Sequence, residues 1–401
     1  MSRECAQATA SRCPVRWLDE HGGYWLASGY AEVRLVLADA TRFSSRETAI
    51  PREQEAVLTP PIPFNVDPPQ HDEYLRVLRR PLRAAVVRDL EPTIRATARA
   101  LLAPIVARGT FEVVRDFATP LVSATMWRLL GLPRHDEQLV LIQAQRLLAR
   151  LPDPSVTAAW ERVSSAIARV TTAPEITMRE RFYDSTLEDL LEHYVFDYLQ
   201  ESGRDQGLIG ELLRSSWKPY FGDRTSELTN VVVGLVGAAL GNTVITLASA
   251  LRHLAADRGT RQALLDKRLL APRITEEILR LYPPVSPGRL VRRDTALQGQ
   301  TLRVGESILA SVAEANRDRT VFRTPDRIAI EPRSHPHLTF GVGRHRCPGA
   351  ALARLILRIA LEEVHAALPH YLTVRLGREL GRSRQRAPLV HVWLAAAEDP
   401  N

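Results

Sequence analysis

The stretch Leu338 to Leu355, LTFGVGRHRCPGAALARL, decides the fold of this chain. Its glycines at positions 341 and 343 allow backbone angles that residues with a Cβ resist, so the segment before Cys347 can form a tight, irregular turn. Pro348 suits the first turn of a helix, where its missing N–H costs nothing, and an apolar helical run follows it. The stretch therefore predicts a cysteine held at the start of a helix.

The surroundings of Cys347 favour a thiolate over a thiol. A helix N-terminus carries a partial positive charge, and Arg344 and Arg346 place two cations beside it. A lone cysteine at a helix start can also be a small buried hydrophobe. The other cysteines, at positions 5 and 13, show no metal-ligand spacing, and three cysteines cannot all pair with one another. These residues alone leave open a structural cysteine, a ligand and a nucleophile.

The pattern around Cys347 resembles the heme-ligand loop of the cytochrome P-450 family, Phe-Gly-x-Gly-x-His-x-Cys-x-Gly. In that family the cysteine thiolate is the axial ligand of the heme iron. The resemblance implies heme b (iron protoporphyrin IX) as the cofactor and Cys347 as the metal ligand. The matching positions, of which Phe340 and Gly341 are also expected to contact the heme, are Phe340, Gly341, Gly343, His345, Cys347 and Gly349.

The two propionates of heme require cations and hydrogen-bond donors in the fold. The resemblance assigns this role to His71 in DPPQH, to Arg289 in PGRLVRR and to His345. His337 is expected either to assist or to be a hydrogen-bonded core histidine. The chain departs from the family at Leu75, because the family usually has an arginine four residues after the position of His71.

Two further motifs lie before the cysteine loop, in the order in which the family has them. EEILR contains Glu277 and Arg280, which lie three residues apart on one helix face, where they can form an ion pair. FRTPDRI, residues 322–328, resembles the family's meander, and the resemblance implies that Arg327 closes a structural triad with Glu277 and Arg280. These three residues are expected to hold the fold together and not to catalyse.

An uncharged stretch from Leu228 to Leu251 is long enough to span a bilayer. Its ends lack the aromatic residues typical of a membrane interface, so a central helix buried on all sides is the favoured interpretation. It resembles the family's long helix that crosses the heme, whose signature is Ala/Gly-Gly-x-Asp/Glu-Thr. Here the signature reads Ala239-Leu240-Gly241-Asn242-Thr243.

The change from an acid to Asn242 bears on the reaction. The resemblance implies that Thr243 hydrogen-bonds to dioxygen, whereas an asparagine can orient water but cannot titrate. One expectation is an ordinary monooxygenase that delivers protons through a water chain, and another is non-hydroxylating chemistry such as oxidative coupling or cyclisation. A third is a non-catalytic helper protein with this fold, which the presence of Cys347 and Thr243 disfavours.

Composition and periodicity predict one mainly helical domain, residues 1–401, with small β-sheets. The resemblance implies that this domain has the cytochrome P-450 fold. The net charge of +7 comes from scattered arginines, which does not indicate a nucleic-acid surface. The first residues lack a signal-peptide core, so we expect a cytoplasmic protein without a membrane anchor.

The resemblance implies dioxygen-dependent oxidation of a hydrophobic or aromatic small molecule, with a natural-product intermediate of a bacterium as the favoured class. A separate ferredoxin or flavodoxin is expected to donate electrons. The candidate arginines for docking it are Arg76, Arg79, Arg80, Arg83, Arg344 and Arg346. The predicted substrate-pocket residues are the loop 61–66, Val236, Ala239, Leu240, Thr243, Val285, Ser286 and Pro287.

Overall fold

The computed structural model describes residues 13–46, 50, 62–133, 195, 198–199, 206–216, 218–220, 223–330, 336–380 and 384–397. Cys5 and the first residue of the predicted pocket loop 61–66 lie outside the described residues.

Short strands and longer helices alternate along the described chain. The strands are β1 (Val15–Leu18), β2 (Tyr24–Ala27), β3 (Phe43–Ser44), β4 (Thr110–Glu112), β5 (Gly288–Val291), β6 (Thr295–Leu297), β7 (Gln300–Leu302), β8 (Ser307–Ala310), β9 (Tyr371–Leu380) and β10 (Leu389–Ala396). The helices are α1 (Tyr30–Ala38), α2 (Gln70–Arg79), α3 (Ala84–Arg88), α4 (Glu91–Arg108), α5 (Thr119–Leu130), α6 (Gly207–Arg214), α7 (Arg224–Ala256), α8 (Arg258–Asp266), α9 (Ala271–Leu281), α10 (Val312–Ala315) and α11 (Ala350–Ala367). The prediction of a mainly helical fold with small sheets is confirmed.

The chain divides into two compact units, each assembled from separate segments. The first unit comprises Met1–Arg76, Asp257–Ala350 and Glu379–Leu389, and the second comprises Val77–Ala256, Ala351–Arg378 and Val390–Asn401.

The first unit contains a five-stranded sheet in the order β1-β2-β8-β5-β3. Strands β2 and β8 run parallel, and the other neighbours are antiparallel. In the β3–β5 pair, Phe43 lies opposite Val291 and Ser44 opposite Leu290. Phe43 and Val291 are buried in one apolar cluster with residues of β1 and β8, so the sheet holds β5 rigidly in place.

The second unit is built around α7, which contains the uncharged stretch of the sequence. Helix α5 packs against both α7 and α4. The sheet of this unit has the order β4-β10-β9. Among the described residues, α7 is the one helix whose length and composition would allow it to cross a membrane. In its most apolar window 61% is buried in the protein, which is typical of a core helix but less than the burial on all sides that the sequence predicts.

An ion-pair cluster joins α4 to α11 within the second unit. Arg95 contacts Glu362 at 2.8 Å and also donates to Glu363, and Arg99 reaches Glu363 at 2.7 Å. Both glutamates are buried, and burying a carboxylate is unfavourable unless a cation pairs with it. The cluster therefore fixes the helix that follows Cys347.

Candidate functional site

The segment that ends at Cys347 forms the tight turn that its glycines predict. Gly341 and Gly343 have φ angles of 66° and 75°, in the left-handed region. The N–H of Cys347 donates to the carbonyl of Phe340 at 2.8 Å, which closes the turn. A Cβ on Gly343 would lie 2.9 Å from the Cα of Ala38, so the turn passes directly against the end of α1.

Cys347 lies three residues before α11 and its side chain is exposed. An exposed thiol does not fit the interpretation of a small buried hydrophobe, which leaves a ligand or a nucleophile. The N-terminal end of α11 favours negative charge at this position, and Arg346 is an exposed cation beside it. The surroundings of Cys347 thus match the electropositive environment that the sequence predicts.

Two histidines predicted from separate motifs stack on each other beside this turn. His71 is the second residue of α2, and His345 lies two residues before Cys347. Their ring centroids are 3.8 Å apart, with the planes tilted by 35°. His71 is buried, and the Nε2 atom of His345 is a buried polar atom with no hydrogen-bond partner among the described residues. The structure thus brings together two residues that lie far apart in the sequence.

Arg289 adds a guanidinium to the same electrostatic environment. It lies in β5 and is 6% exposed. Its NH1 donates to the carbonyl of Gly288 at 2.7 Å, and no carboxylate of the described residues lies within ion-pair distance of it. Burial lowers the pKa of Arg289 to about 10, against an opposing contribution from Asp67. A buried cation with so few partners favours an anion next to it.

Burial and the neighbouring positive charges also change the pKa of His345. Burial is the main cause that lowers the pKa of His345 to about 3, and the positive charges of His71, Arg289 and Arg344 act in the same direction. An added proton would therefore be strongly unfavourable in this cluster as it stands, whereas a carboxylate would relieve the repulsion. We call the cation of Arg289, together with the neutral ring of His345 and the ring of His71 stacked on it, the cation cluster.

The cation cluster and Cys347 fit the group that the sequence predicts. A heme offers an iron atom for a thiolate and two carboxylates for buried nitrogen donors. The uncompensated buried guanidinium and the buried Nε2 of His345 are the donors that a carboxylate requires. The residues present are therefore those that would hold heme.

His337 is engaged within the protein. Its Nε2 lies 3.1 Å from Oε2 of Glu276, and its Nδ1 accepts the N–H of Thr339 at 3.3 Å. Both ring nitrogens thus have partners, and the side chain is buried. This favours the alternative of a hydrogen-bonded core histidine. The ring of Phe340 lies 6.0 Å from that of His337.

Glu277 and Arg280 form the predicted ion pair, but the role expected of Arg327 needs correction. Arg280 contacts both carboxylate oxygens of Glu277, at 3.0 and 2.8 Å, and both side chains are buried. Arg280 also donates to the backbone carbonyl of Arg327 at 2.7 Å. The side chain of Arg327 is exposed, and Arg280 is the guanidinium that contacts both oxygens of Glu277. Arg327 therefore contributes a backbone acceptor and not its guanidinium.

Arg280 is the anchor of the meander. It donates to the carbonyls of Asn316 and Pro325 at 3.0 and 2.7 Å, while Glu277 accepts the N–H of Ala329 at 2.9 Å. Such an arrangement satisfies a buried guanidinium almost completely. It ties α9 to the segment that leads towards the cysteine turn.

The residues of the oxygen-activation signature lie on α7 in the second unit. Thr243 and Leu240 are buried, whereas Asn242 is half-buried. Thr246 donates to the carbonyl of Asn242 at 2.9 Å, the usual bond of a helical threonine to the residue four positions earlier. The hydroxyl of Thr243 makes no hydrogen bond to any described residue, so it is available to a ligand. Its position relative to Cys347 stays a prediction.

The other predicted pocket residues have distinct environments. Val236 is buried and Ala239 half-buried on α7. In the first unit, Val285 pairs with Arg386 in an isolated bridge. The hydroxyl of Ser286 accepts the N–H of Val312 at 3.0 Å, so its polar group is engaged in the fold. Their contact with substrate stays a prediction.

Two acidic residues that sequence reasoning missed surround His71. The buried carboxylate of Asp67 accepts the hydroxyl of Ser44 at 2.6 Å and the N–H of Ser45 at 2.9 Å. Asp72 accepts a hydrogen bond from Arg344. No local pattern pairs these residues, and only the unusual density of polar residues in DPPQHD could have drawn attention to them.

The family profile and the relatives that match this chain belong to the same family. The sequence profile of the family described as Cytochrome P-450 matches residues 224–364. Cytochrome P-450 109 of Bacillus spizizenii is 30% identical over 88% of this chain and 80% of its own length. Nocardicin C N-oxygenase of Nocardia uniformis is 31% identical over 86% of this chain and 82% of its own length.

A solved structure shares the fold. The crystal structure of a post-tailoring hydroxylase involved in himastatin biosynthesis superposes with a TM-score of 0.77. The match covers 96% of this chain and 94% of that chain at 22% sequence identity.

Proposed function

Because the chain belongs to the cytochrome P-450 family, we propose that Cys347 is the axial ligand of its heme iron and that the cation cluster holds the heme carboxylates. The protein is a heme b-dependent oxidoreductase of the monooxygenase type. The observation that carries the site assignment is the pair of buried, uncompensated donors on Arg289 and His345 beside the cysteine turn.

When bound, heme activates dioxygen so that one oxygen atom enters the substrate and the other leaves as water, with two electrons supplied from outside. Cys347 provides an anionic sulfur ligand, which the N-terminal end of α11 stabilises. Arg289 would neutralise a carboxylate and His345 would donate a hydrogen bond to it, and the stack of His71 on His345 orients the second ring. Each of these roles needs a fixed side chain, and burial fixes His71 and Arg289.

Thr243 supplies a hydroxyl that no described residue occupies, which suits hydrogen bonding to dioxygen. Asn242 offers an amide that can orient water but cannot release a proton at neutral pH. Proton supply in this protein therefore runs through water, through another side chain or through the substrate. This departure is the observation that favours the second candidate function, oxidative coupling or cyclisation in place of hydroxylation.

We infer a hydrophobic or aromatic small molecule as substrate, from bacterial secondary metabolism. The apolar side chains of Val236, Ala239, Leu240 and Val285 support an apolar substrate. Relatives whose names specify a substrate or step include a nocardicin C N-oxygenase and an erythromycin C-12 hydroxylase. These names support a natural product as the substrate class.

We infer a separate small acidic ferredoxin or flavodoxin as electron donor, in the cytoplasm. Arg346 is exposed and has no side-chain partner among the described residues, so it can meet a carboxylate of a partner. Arg344 is exposed but paired with Asp72. The side chains of Arg76, Arg79 and Arg83 are also exposed, and Arg80 lies 3.9 Å from Glu211.

The absorption spectrum of the dithionite-reduced protein under carbon monoxide tests the site. We expect the red-shifted Soret band of a thiolate ligand in the wild type and its loss in Cys347→Ser. Cys13→Ser is the matched control, because Cys13 donates its S–H to the carbonyl of Val15 and lies two residues before β1. If both serine variants retain the band, Cys347 is not the ligand, and a wild-type protein that cannot bind heme overturns the assignment altogether.

A further inference from the structure

Ser45 carries a fully buried hydroxyl that the fold leaves unused. The residue is 0% exposed, and its Oγ has no hydrogen-bond partner among the described residues. Its backbone N–H is engaged, because it donates to Oδ1 of Asp67 at 2.9 Å. A buried hydroxyl without an acceptor is unfavourable, so such a group usually has a partner when the protein functions.

The strand register places this hydroxyl next to Arg289. Phe43 lies opposite Val291 and Ser44 opposite Leu290 in the antiparallel β3–β5 pair. Continuing the same register by one residue sets Ser45 opposite Arg289. Directly opposite residues of antiparallel strands point to the same face, with Cβ atoms about 4.5–5.5 Å apart. The Ser45 hydroxyl and the Arg289 guanidinium therefore share one face of the sheet.

The acidic residue next to Ser45 does not provide the missing acceptor. The carboxylate of Asp67 accepts the hydroxyl of Ser44 at 2.6 Å and the N–H of Ser45, and Arg46 and Arg292 each lie 3.8 Å from it. Arg289 has the carbonyl of Gly288 as its hydrogen-bond acceptor. Two neighbouring buried groups, one hydroxyl and one guanidinium, thus lack an anionic acceptor.

We propose that Ser45 donates a hydrogen bond to a heme propionate, together with Arg289 and His345. This inference rests on the proposed heme site and adds a neutral donor to its cations. A carboxylate oxygen accepts several hydrogen bonds, so it can take the Ser45 O–H and an Arg289 N–H at the same time. The hydroxyl then orients the propionate and adds no further positive charge to the cation cluster, where positive charge is already unfavourable.

The test measures heme retention in the heme-loaded protein. For Ser45→Ala we expect transfer of heme to excess apomyoglobin to be about tenfold faster, the size of effect that one lost hydrogen bond to a charged acceptor produces. We also expect the propionate bending mode in the resonance Raman spectrum to shift. Ser45→Cys, which keeps the size but is a weak donor, should fall between wild type and Ser45→Ala.

Ser44→Ala is the matched control, because it removes the neighbouring hydroxyl that Asp67 accepts. We expect it to lower the thermal unfolding midpoint and to leave heme transfer and the propionate mode unchanged. Wild-type transfer rates and an unshifted mode in both Ser45 variants would show that the hydroxyl only packs or binds a buried water, which overturns the inference. That result leaves the thiolate spectrum intact, whereas failure of the proposed function removes heme from the wild type itself.

Discussion

Arg344 donates a hydrogen bond to Asp72 directly beside the stack of His71 on His345. Two consecutive residues of α2 thus contact two consecutive residues of the cysteine turn. Asp72 forms an ion pair with Arg344, and the ring of His71 stacks on the ring of His345. The side chains of the ion pair are 58% and 43% exposed, so water screens it and its contribution to the free energy of unfolding is small. Its importance lies in where it places a cation, next to the candidate iron ligand.

We expect Asp72→Asn to tighten binding of an acidic electron donor. The neutral side chain releases Arg344, which is then able to pair with a carboxylate of the partner. The dissociation constant for an acidic [2Fe–2S] ferredoxin should fall about threefold at low ionic strength, with the difference vanishing at high salt. Asp294→Asn, which breaks the exposed pair of Asp294 with Arg303, is the control. Equal affinities in all three proteins would exclude Arg344 from docking.

Loss of the buried carboxylate of Glu277 should destabilise the fold strongly, whereas loss of the Arg327 side chain should not. Glu277→Gln leaves the buried guanidinium of Arg280 without its counter-charge, which costs about 3–5 kcal/mol in the free energy of unfolding. Arg327→Ala should change it by less than about 0.5 kcal/mol, because the exposed side chain makes no contact that the fold requires. Urea unfolding of both variants measures this. Comparable losses would restore Arg327 to the triad.

Gly343→Ala should impair folding of the cysteine turn more than an alanine at another left-handed glycine. A Cβ at position 343 meets the backbone of Ala38 at 2.9 Å, whereas a Cβ at Gly305 meets nothing within 4 Å. Gly305→Ala, with φ of 84°, should cost only the left-handed penalty of about 1–2 kcal/mol. For Gly343→Ala we expect a larger loss in the free energy of unfolding, which an unfolding experiment measures. We also expect less heme per chain, which the Soret absorbance measures. Equal losses in the two variants would show that the turn can shift away from α1.

The ionised carboxylate of Asp39 should stabilise the first unit at neutral pH, and this stabilisation should be lost in acid. Burial raises the pKa of Asp39, but hydrogen bonds from Thr41 and Arg42 outweigh it and hold the pKa well below its usual range. Because the folded pKa is depressed, the stabilisation is present above the unfolded pKa of about 3.9 and is lost as the pH falls below it.

Asp39→Asn should therefore lower the free energy of unfolding by about 1 kcal/mol at pH 7, because the neutral amide loses the charge-assisted hydrogen bond from Arg42. At a pH of about 2.5 the variant and the wild type should differ less. Urea unfolding at the two pH values measures this, with the exposed Asp89→Asn as control. A difference that stays constant with pH would contradict the role of the Asp39 charge.

Asn242→Asp tests which reaction the protein performs. If an ordinary monooxygenase relies on a water chain, the added carboxyl should supply protons and raise product formed per electron pair, with less peroxide released. Product analysis of both proteins on the native substrate measures this. If the wild type forms a coupled or cyclised product and Asn242→Asp forms a hydroxylated one instead, Asn242 is an adaptation to non-hydroxylating chemistry.

Much of the candidate site follows from the sequence because its determinants are local. The glycines and Pro348 predict the turn and helix around Cys347, and the apolar run 228–251 predicts a long helix; both are found. Thr243 and Asn242 keep their places on that helix for the same reason, since helical periodicity depends on near neighbours.

What only the tertiary structure decided concerns buried polar groups that meet across the fold. The sequence does not show that His71 stacks on His345, that Asp72 pairs with Arg344, or that Arg327 offers its carbonyl and not its side chain. Local propensities say nothing about which strands pair or which polar groups face each other. A buried charge takes whichever partners the packed backbone brings within hydrogen-bond reach. The sequence therefore determined the turn and the helix that carry Cys347, and the tertiary structure decided which buried donors lie beside that turn.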